Sequence, residues 1–212
     1  MNYIDIINKC LVELNYKTVS AFSELTKNDH KKLKNIINMI NTEICLSDRW
    51  NFLERKITLT LPANTGEIVN TIPGKIEALF IDGQKYEYFQ DFEKFFTNTQ
   101  PSGTYSLYDD KILLPIFNRA KEVKILYYTS NCAKTFEGTE KPSLENADDI
   151  SLIPEVFAEP LLVYGGCMRL KGNPQHIRFS YWLKMYNDAL ANLRSKISAS
   201  MDETPNVKMS RY

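Results

Sequence analysis

SDRWNFLERKITLTLPANTG, residues Ser47–Gly66, decides how the chain is organised, because the spacing of its hydrophobic residues changes within it. Up to Trp50 apolar residues recur every three or four positions, the spacing of a helix face. From Arg55 on, Ile57, Leu59 and Leu61 alternate with Lys56, Thr58 and Thr60, which predicts a half-buried strand closed by a turn from Pro62 to Gly66. Trp50 reads as a core residue with its indole N–H bonded locally, placed with Phe52 at the joint between a helical part and a sheet.

Working outward, Ile4, Ile7, Leu11 and Leu14 predict a first helix ending near Asn15. A second, with Leu33, Ile36, Ile37, Ile40 and Ile44 on one face, is expected to start after Thr26 as N-cap. The loop from Lys17 to Glu24 is short enough to set the two antiparallel. Beyond Gly66, strands are expected at Glu67–Ile72, Lys75–Ile81, Gln84–Tyr88, Thr104–Tyr108, Lys111–Leu114 and Val123–Thr129, with turns at Asp82-Gly83 and Asp109-Asp110. Asp91–Asn98 reads as a short helix or turn, and the polar run SNCAKTFEGTEKPSLENADD as a loop or extended arm. Helical spacing returns from Pro154 to Leu170, where Pro160 is expected to kink the helix or mark its start, and where Gly165 and Gly166 admit a close neighbour. KGNPQ then supplies Gly172 as a stop, Asn173 as N-cap and Pro174 as first residue of a final helix with Phe179, Trp182, Tyr186, Ala189, Leu193 and Ile197 on one face.

The order predicts an α+β fold: a four-helix layer built from the N- and C-terminal helices, with an inserted antiparallel β module. Four parts follow: residues 1–52, the first helical part; 53–134, the β module; 135–198, an acidic connection and a helical pair packing on 1–52; and 199–212, a polar tail expected to be unfolded in the free protein.

Composition narrows the function classes. The 212 residues include 26 Lys plus Arg and 26 Asp plus Glu, so no net charge drives the chain onto nucleic acid or an anionic membrane. No apolar run approaches the roughly 20 residues of a membrane-spanning helix, and the N-terminus lacks signal-peptide features, which suggests a soluble protein made inside the cell. Cys10, Cys45, Cys132 and Cys167 are widely separated without a CxxC, and read as buried thiols rather than a zinc site or disulfide framework. His30 and His176 have no metal-spaced or triad-like companion. Asp109-Asp110 and Asp148-Asp149 are adjacent acids whose side chains diverge, so no converging acid–base pair is predicted, and an enzyme, a metal and a cofactor are not expected.

Charge is nevertheless unevenly distributed. From Thr135 to Pro160, Glu137, Glu140, Glu145, Asp148, Asp149, Glu155 and Glu159 face only Lys141; from Arg169 to Lys196, Arg169, Lys171, Arg178, Lys184, Arg194 and Lys196 face only Asp188. These are either solvated faces or the two halves of a contact between subunits, with Glu145, Asp148 and Asp149 opposite Arg178, Lys184 and Arg194. The aromatic residues of the β module, among them Phe92, Phe96, Tyr105 and Tyr108, suit packing within the module or against a partner.

IINKCLVELN, RWNFLERKITLTL, PSGTYSLYDDKILLPIF, VKILYYTS and IPEVFAEPLLVYGGCMRL, in this order, make the chain resemble the head-to-tail adaptor, or tail tubular ring, proteins of short-tailed bacteriophages over roughly Tyr3 to Ile197. It departs from them in the long segment Asn131–Asp149 and at Pro160. The resemblance implies a structural virion protein, made in the host cytoplasm and located at the head-to-tail junction. It would form a homo-oligomeric ring, typically of twelve subunits, that docks on the portal protein and attaches a downstream tail or nozzle protein. Double-stranded DNA would pass through its lumen without sequence recognition. The tail would dock on the portal or a neighbour through Val207, Met209, Arg211 and Tyr212. The competing expectations are a nucleic-acid-binding module that uses the basic final helix, and an enzyme whose cleft includes Asp109 or Asp148.

Overall fold

The structure, a computed structural model, describes residues 1–201, with side chains described up to residue 196. It is a mixed α+β fold with several helices and a large sheet. The chain divides into two compact units: Met1–Phe52 together with the chain from Cys132 onward, and Leu53–Asn131.

The first unit contains α1 (Tyr3–Glu13), α2 (Asn28–Ser47), α4 (Glu155–Glu159), α5 (Gly165–Lys171) and α6 (Phe179–Met201); α3 (Glu93–Phe96) belongs to the second. Asn2 caps α1 by accepting the Asp5 N–H at 2.9 Å, and the chain leaves it at Asn15 in the left-handed region (φ 58°). The N-cap of α2 is Lys27, not Thr26, and its side chain makes no capping bond. Tyr3, Ile6, Ile7 and Leu11 of α1, Leu33, Ile37 and Ile40 of α2, and Leu161, Leu162 and Trp182 form the buried core.

Between α4 and α5 the helix widens into one π turn, Pro160–Tyr164. Pro160 has no N–H to donate to the preceding turn, and the extra residue of the wider turn lets Leu161, Leu162 and Val163 all be buried in succession. Gly165 and Gly166 follow. A Cβ on Gly165 would stand 3.1 Å from Ile40 Cδ1 and from the Tyr186 ring, and one on Gly166 would stand 3.3 Å from Cys10 Sγ, so the missing side chains are what lets α5 lie against its neighbours. Gly172 stops α5 with φ 56°, as expected. The final helix starts at Phe179, five residues later than Pro174. Asn173 instead accepts the Gln175 N–H at 2.9 Å, a local turn that competes with helix initiation.

The run after Asn131 is not a free arm. Ala133–Lys134 (β8) pairs with Glu140–Lys141 (β9) and with Ile150–Ser151 (β10), so these residues belong to a small sheet of the first unit and the β module ends before them. Polar side chains of α2 hold this segment down: Asn38 bonds both backbone groups of Leu144 at 2.8 Å, and Asn41 donates to the Cys132 carbonyl at 2.8 Å. Leu144 and Ile153 are buried beneath it.

The second unit is a seven-stranded sheet. With β1 (Glu54–Leu61), β2 (Glu67–Val69), β3 (Gly74–Ile81), β4 (Gln84–Tyr88), β5 (Thr104–Tyr108), β6 (Lys111–Leu113) and β7 (Lys121–Thr129), its order is β1-β7-β3-β4-β5-β6-β2. The alternation in the opening stretch is realised: Ile57 and Leu59 are half-buried and Leu61 buried, whereas Lys56, Thr58 and Thr60 are exposed. Asp82 (φ 51°) and Gly83 (φ 82°) both adopt the positive φ that a two-residue turn matched to strand twist requires. One pair departs from the antiparallel expectation. β4 and β5 run parallel, because residues 89–103 loop round through α3 and return the chain in its original direction. Leu61, Leu79, Ile81, Tyr105, Ile112, Val123 and Ile125 form this unit's own core.

Candidate interaction site

The acidic segment is organised around Asp149, which is only 2 % exposed. Its carboxylate accepts from the Lys141 ammonium at 2.8 Å and from the N–H groups of Glu145 and Asn146 at 2.6 and 2.7 Å. Burial alone would raise this carboxyl, but Lys141 and the two N–H groups outweigh it and hold it below the ordinary carboxylate range. Asp149 is therefore committed within its own chain and is not available to a neighbour. Glu145 is exposed and shares Lys141 at 3.0 Å, and Asp148 is exposed beside it. The adjacent acids diverge, one inward and one outward.

The basic stretch is also partly tied down inside the unit. Arg169 makes a two-pronged bond to Glu43 at 3.0 and 2.5 Å, which lowers the Glu43 carboxyl from its ordinary value. Arg178 donates to the Glu13 carbonyl at 3.0 Å, and Arg194 reaches Asp48 at 3.4 Å. Arg178, Lys184 and Arg194 are all exposed. Exposed pairs of this kind contribute ~0–1 kcal/mol each, so exchanging them for pairs with another molecule costs little.

Apolar surface accompanies the charge. Ile177 is 94 % exposed, and Val156, Phe136 and Tyr181 are exposed too. The Tyr181 ring packs edge-on against Tyr164 at 5.6 Å. Beside Tyr164 is a groove of ≈ 250 Å³ lined by Asn8, Lys9, Val12, Glu13, Glu159, Val163 and Tyr164, with Lys9 and Glu159 bonded at 2.6 Å. Sequence reading missed Ile177 because a single apolar residue among polar ones has no periodicity, and Val156 because it stands in an apolar run with Phe157 and Ala158, both of which are buried. In the second unit, Phe92, Phe96 and Tyr108 form a ring cluster with Phe92–Tyr108 at 4.7 Å and Phe96–Tyr108 at 5.5 Å, and Phe96 is 60 % exposed. These aromatics pack within the unit and still present a face to solvent.

The remaining candidates are placed as follows. Trp50 is fully buried and donates to the Ile44 carbonyl at 2.5 Å, with Phe52 stacked on it at 5.8 Å; in sequence the two immediately precede the second unit. Val207, Met209, Arg211 and Tyr212 lie outside the described residues. His30 is buried at the start of α2, and His176 stacks on Trp182 at 5.0 Å. Asp109 and Asp110 are exposed at the β5–β6 turn. Among the described residues no group of three or more His, Cys, Asp or Glu side chains is placed to hold a metal ion, and no helix is long and apolar enough to cross a membrane.

Compared with known proteins, the chain matches no family model and no curated protein.

Proposed function

We propose that the chain is a structural virion protein: a head-to-tail adaptor whose copies form a ring, typically of twelve, that docks on a portal, extends the DNA channel and attaches the tail. Catalysis, a metal and a cofactor have no part in this role. The observation that carries it is the division of the chain, in which the segments before and after an inserted β unit build one helical unit, the order of parts on which the resemblance rests. In this reading α1, α2, α5 and α6 stack as a four-helix layer that forms the ring wall, and the glycines of α5 permit the stacking.

Subunit contacts would use Glu145 and Asp148 of one copy against Lys184, Arg178 and Arg194 of the next, reinforced by exposed Ile177 and Tyr181. A heterologous contact of this kind closes into a ring when its rotation permits. Val207, Met209, Arg211 and Tyr212 would dock on the portal or a neighbour, the aromatic face of the β unit would meet the tail or nozzle protein, and DNA would pass without base readout.

A second reading is favoured by one observation: Lys17, Lys27, Lys31 and Lys32, around the start of α2, are all exposed, as is Lys184 on α6, and exposed lysines suit phosphate backbones. One experiment separates the two. The purified chain is mixed with rings of its portal and, in parallel, with duplex DNA over a salt series. The adaptor predicts stoichiometric ring complexes and weak DNA binding; steep salt-dependent DNA binding without a portal complex favours the second reading.

A further inference from the structure

The fold brings four cysteines that are far apart in sequence into two buried pairs. Cys10 on α1 meets Cys167 on α5: Cys167 Sγ donates to the Cys10 carbonyl at 3.6 Å, and Cys10 Sγ points to the Val163 carbonyl, one turn before Cys167, also at 3.6 Å. Cys45 on α2 meets Cys132, where the chain returns to the first unit, and the two thiols hydrogen-bond each other. The Cys132 backbone is held there at both ends, its N–H donating to the Lys141 carbonyl at 3.2 Å and its carbonyl accepting from Asn41, one helical turn before Cys45. All four are free thiols. Both pairs join a segment before the β unit to one after it.

We propose that these pairs are a redox-sensitive clasp: on exposure to a small-molecule disulfide, the Cys45–Cys132 and Cys10–Cys167 pairs each close into an intramolecular disulfide that ties the two halves of the helical unit together. All four cysteines are buried, so reaction waits on local opening of the chain; the Cys132 thiol exposed by that opening loses its proton to solvent and its thiolate attacks one sulfur of glutathione disulfide, forming a mixed disulfide and releasing one glutathione thiolate. Cys45 then gives up its proton and attacks the Cys132 sulfur, forming the bridge and releasing the second glutathione. The dithiol is oxidised by two electrons, and the glutathione disulfide is reduced to two thiols.

The surroundings of the two pairs differ. The hydrogen bond from Cys45, with a second from Thr42, lowers the Cys132 thiol despite burial, whereas burial followed by the bond to Cys167 raises Cys10 well above its ordinary value. Each bridge encloses the whole β unit in its loop, and long loops are those whose closure restricts the unfolded chain most. The clasp stays open in a reducing cytoplasm and closes in an oxidising medium. It stands independently of the adaptor reading.

The test incubates the full chain, natively folded, with glutathione disulfide, quenches at intervals, alkylates in denaturant and maps the peptides. Alkylatable thiols are expected to fall from four to none, with Cys45 linked to Cys132 and Cys10 linked to Cys167. The thermal midpoint should rise on oxidation and return when dithiothreitol is added. Cys45→Ala should abolish the Cys45–Cys132 bridge and leave the Cys10–Cys167 bridge; if that variant does not fold, the wild-type map still decides. Four alkylatable thiols persisting after prolonged oxidation, a Cys45–Cys167 link, or bridges between chains would overturn the proposal.

Discussion

Asn38 and Leu144, more than a hundred residues apart, are joined by two hydrogen bonds: the Asn38 amide donates to the Leu144 carbonyl and its carbonyl accepts the Leu144 N–H, both at 2.8 Å. One side chain on α2 thereby replaces the strand partner that Leu144 lacks, and fastens the acidic segment to the helices. Asn38→Ala leaves both backbone groups without that partner and should cost ~1–3 kcal/mol. Urea denaturation measures the loss, and native-state hydrogen exchange should show it concentrated between β9 and β10.

Gly165→Val tests the approach of α5 to α2 and α6. Its branched side chain meets Ile40 and Tyr186, which a bare Cβ already reaches at 3.1 Å. Overpacking of this kind costs ~1–3 kcal/mol, more than the ~0.3–0.5 kcal/mol that replacing glycine by valine gains in helix propensity. A lower urea midpoint is expected; an unchanged or higher one would show that α5 has room to move.

Asp149 makes stability depend on pH. Its folded-state carboxyl lies below its unfolded value, so the contribution is fully present above the unfolded value of about 3.9 and is lost as pH falls through the folded value. The groups around it, Lys141 and Glu145, add one cation and one further acid. Asp149→Asn should therefore be destabilised relative to wild type at pH 7, with the gap closing below pH ~4. Urea midpoints of both proteins from pH 7 to pH 3 measure it. A gap that stays constant over that range would mean that the carboxylate charge contributes nothing.

Some of this was readable from residues alone and some was not. The switch of period at Trp50, the Asp82-Gly83 turn, the close approach at Gly165 and Gly166 and the stop at Gly172 are local chemistry, and each was legible. The attachment of the acidic segment was not, because Asn38 and Asn41 act through backbone groups at Leu144 and Cys132 that have no sequence signature. The parallel β4–β5 pair depends on how residues 89–103 turn, and the late start of α6 on competition from Asn173. Among the proposed contact residues, the sequence could place Asp148 and Asp149 side by side, but only the fold distinguishes the exposed one from the buried one.

Charge reversal tests the proposed contact. Lys184→Glu should weaken ring formation without changing the thermal midpoint of the isolated chain, since Lys184 is exposed. Asp148→Lys should weaken it likewise, and the double variant should recover part of the loss. Analytical ultracentrifugation with the portal present reads all three; equal assembly by every variant would remove these residues from the interface.

The most direct test of the adaptor reading is electron microscopy of the purified chain mixed with portal rings. The expected image is a closed ring of copies, typically twelve, seated coaxially on the portal with an open lumen. Portal rings that remain bare at saturating concentrations of folded chain would contradict the account.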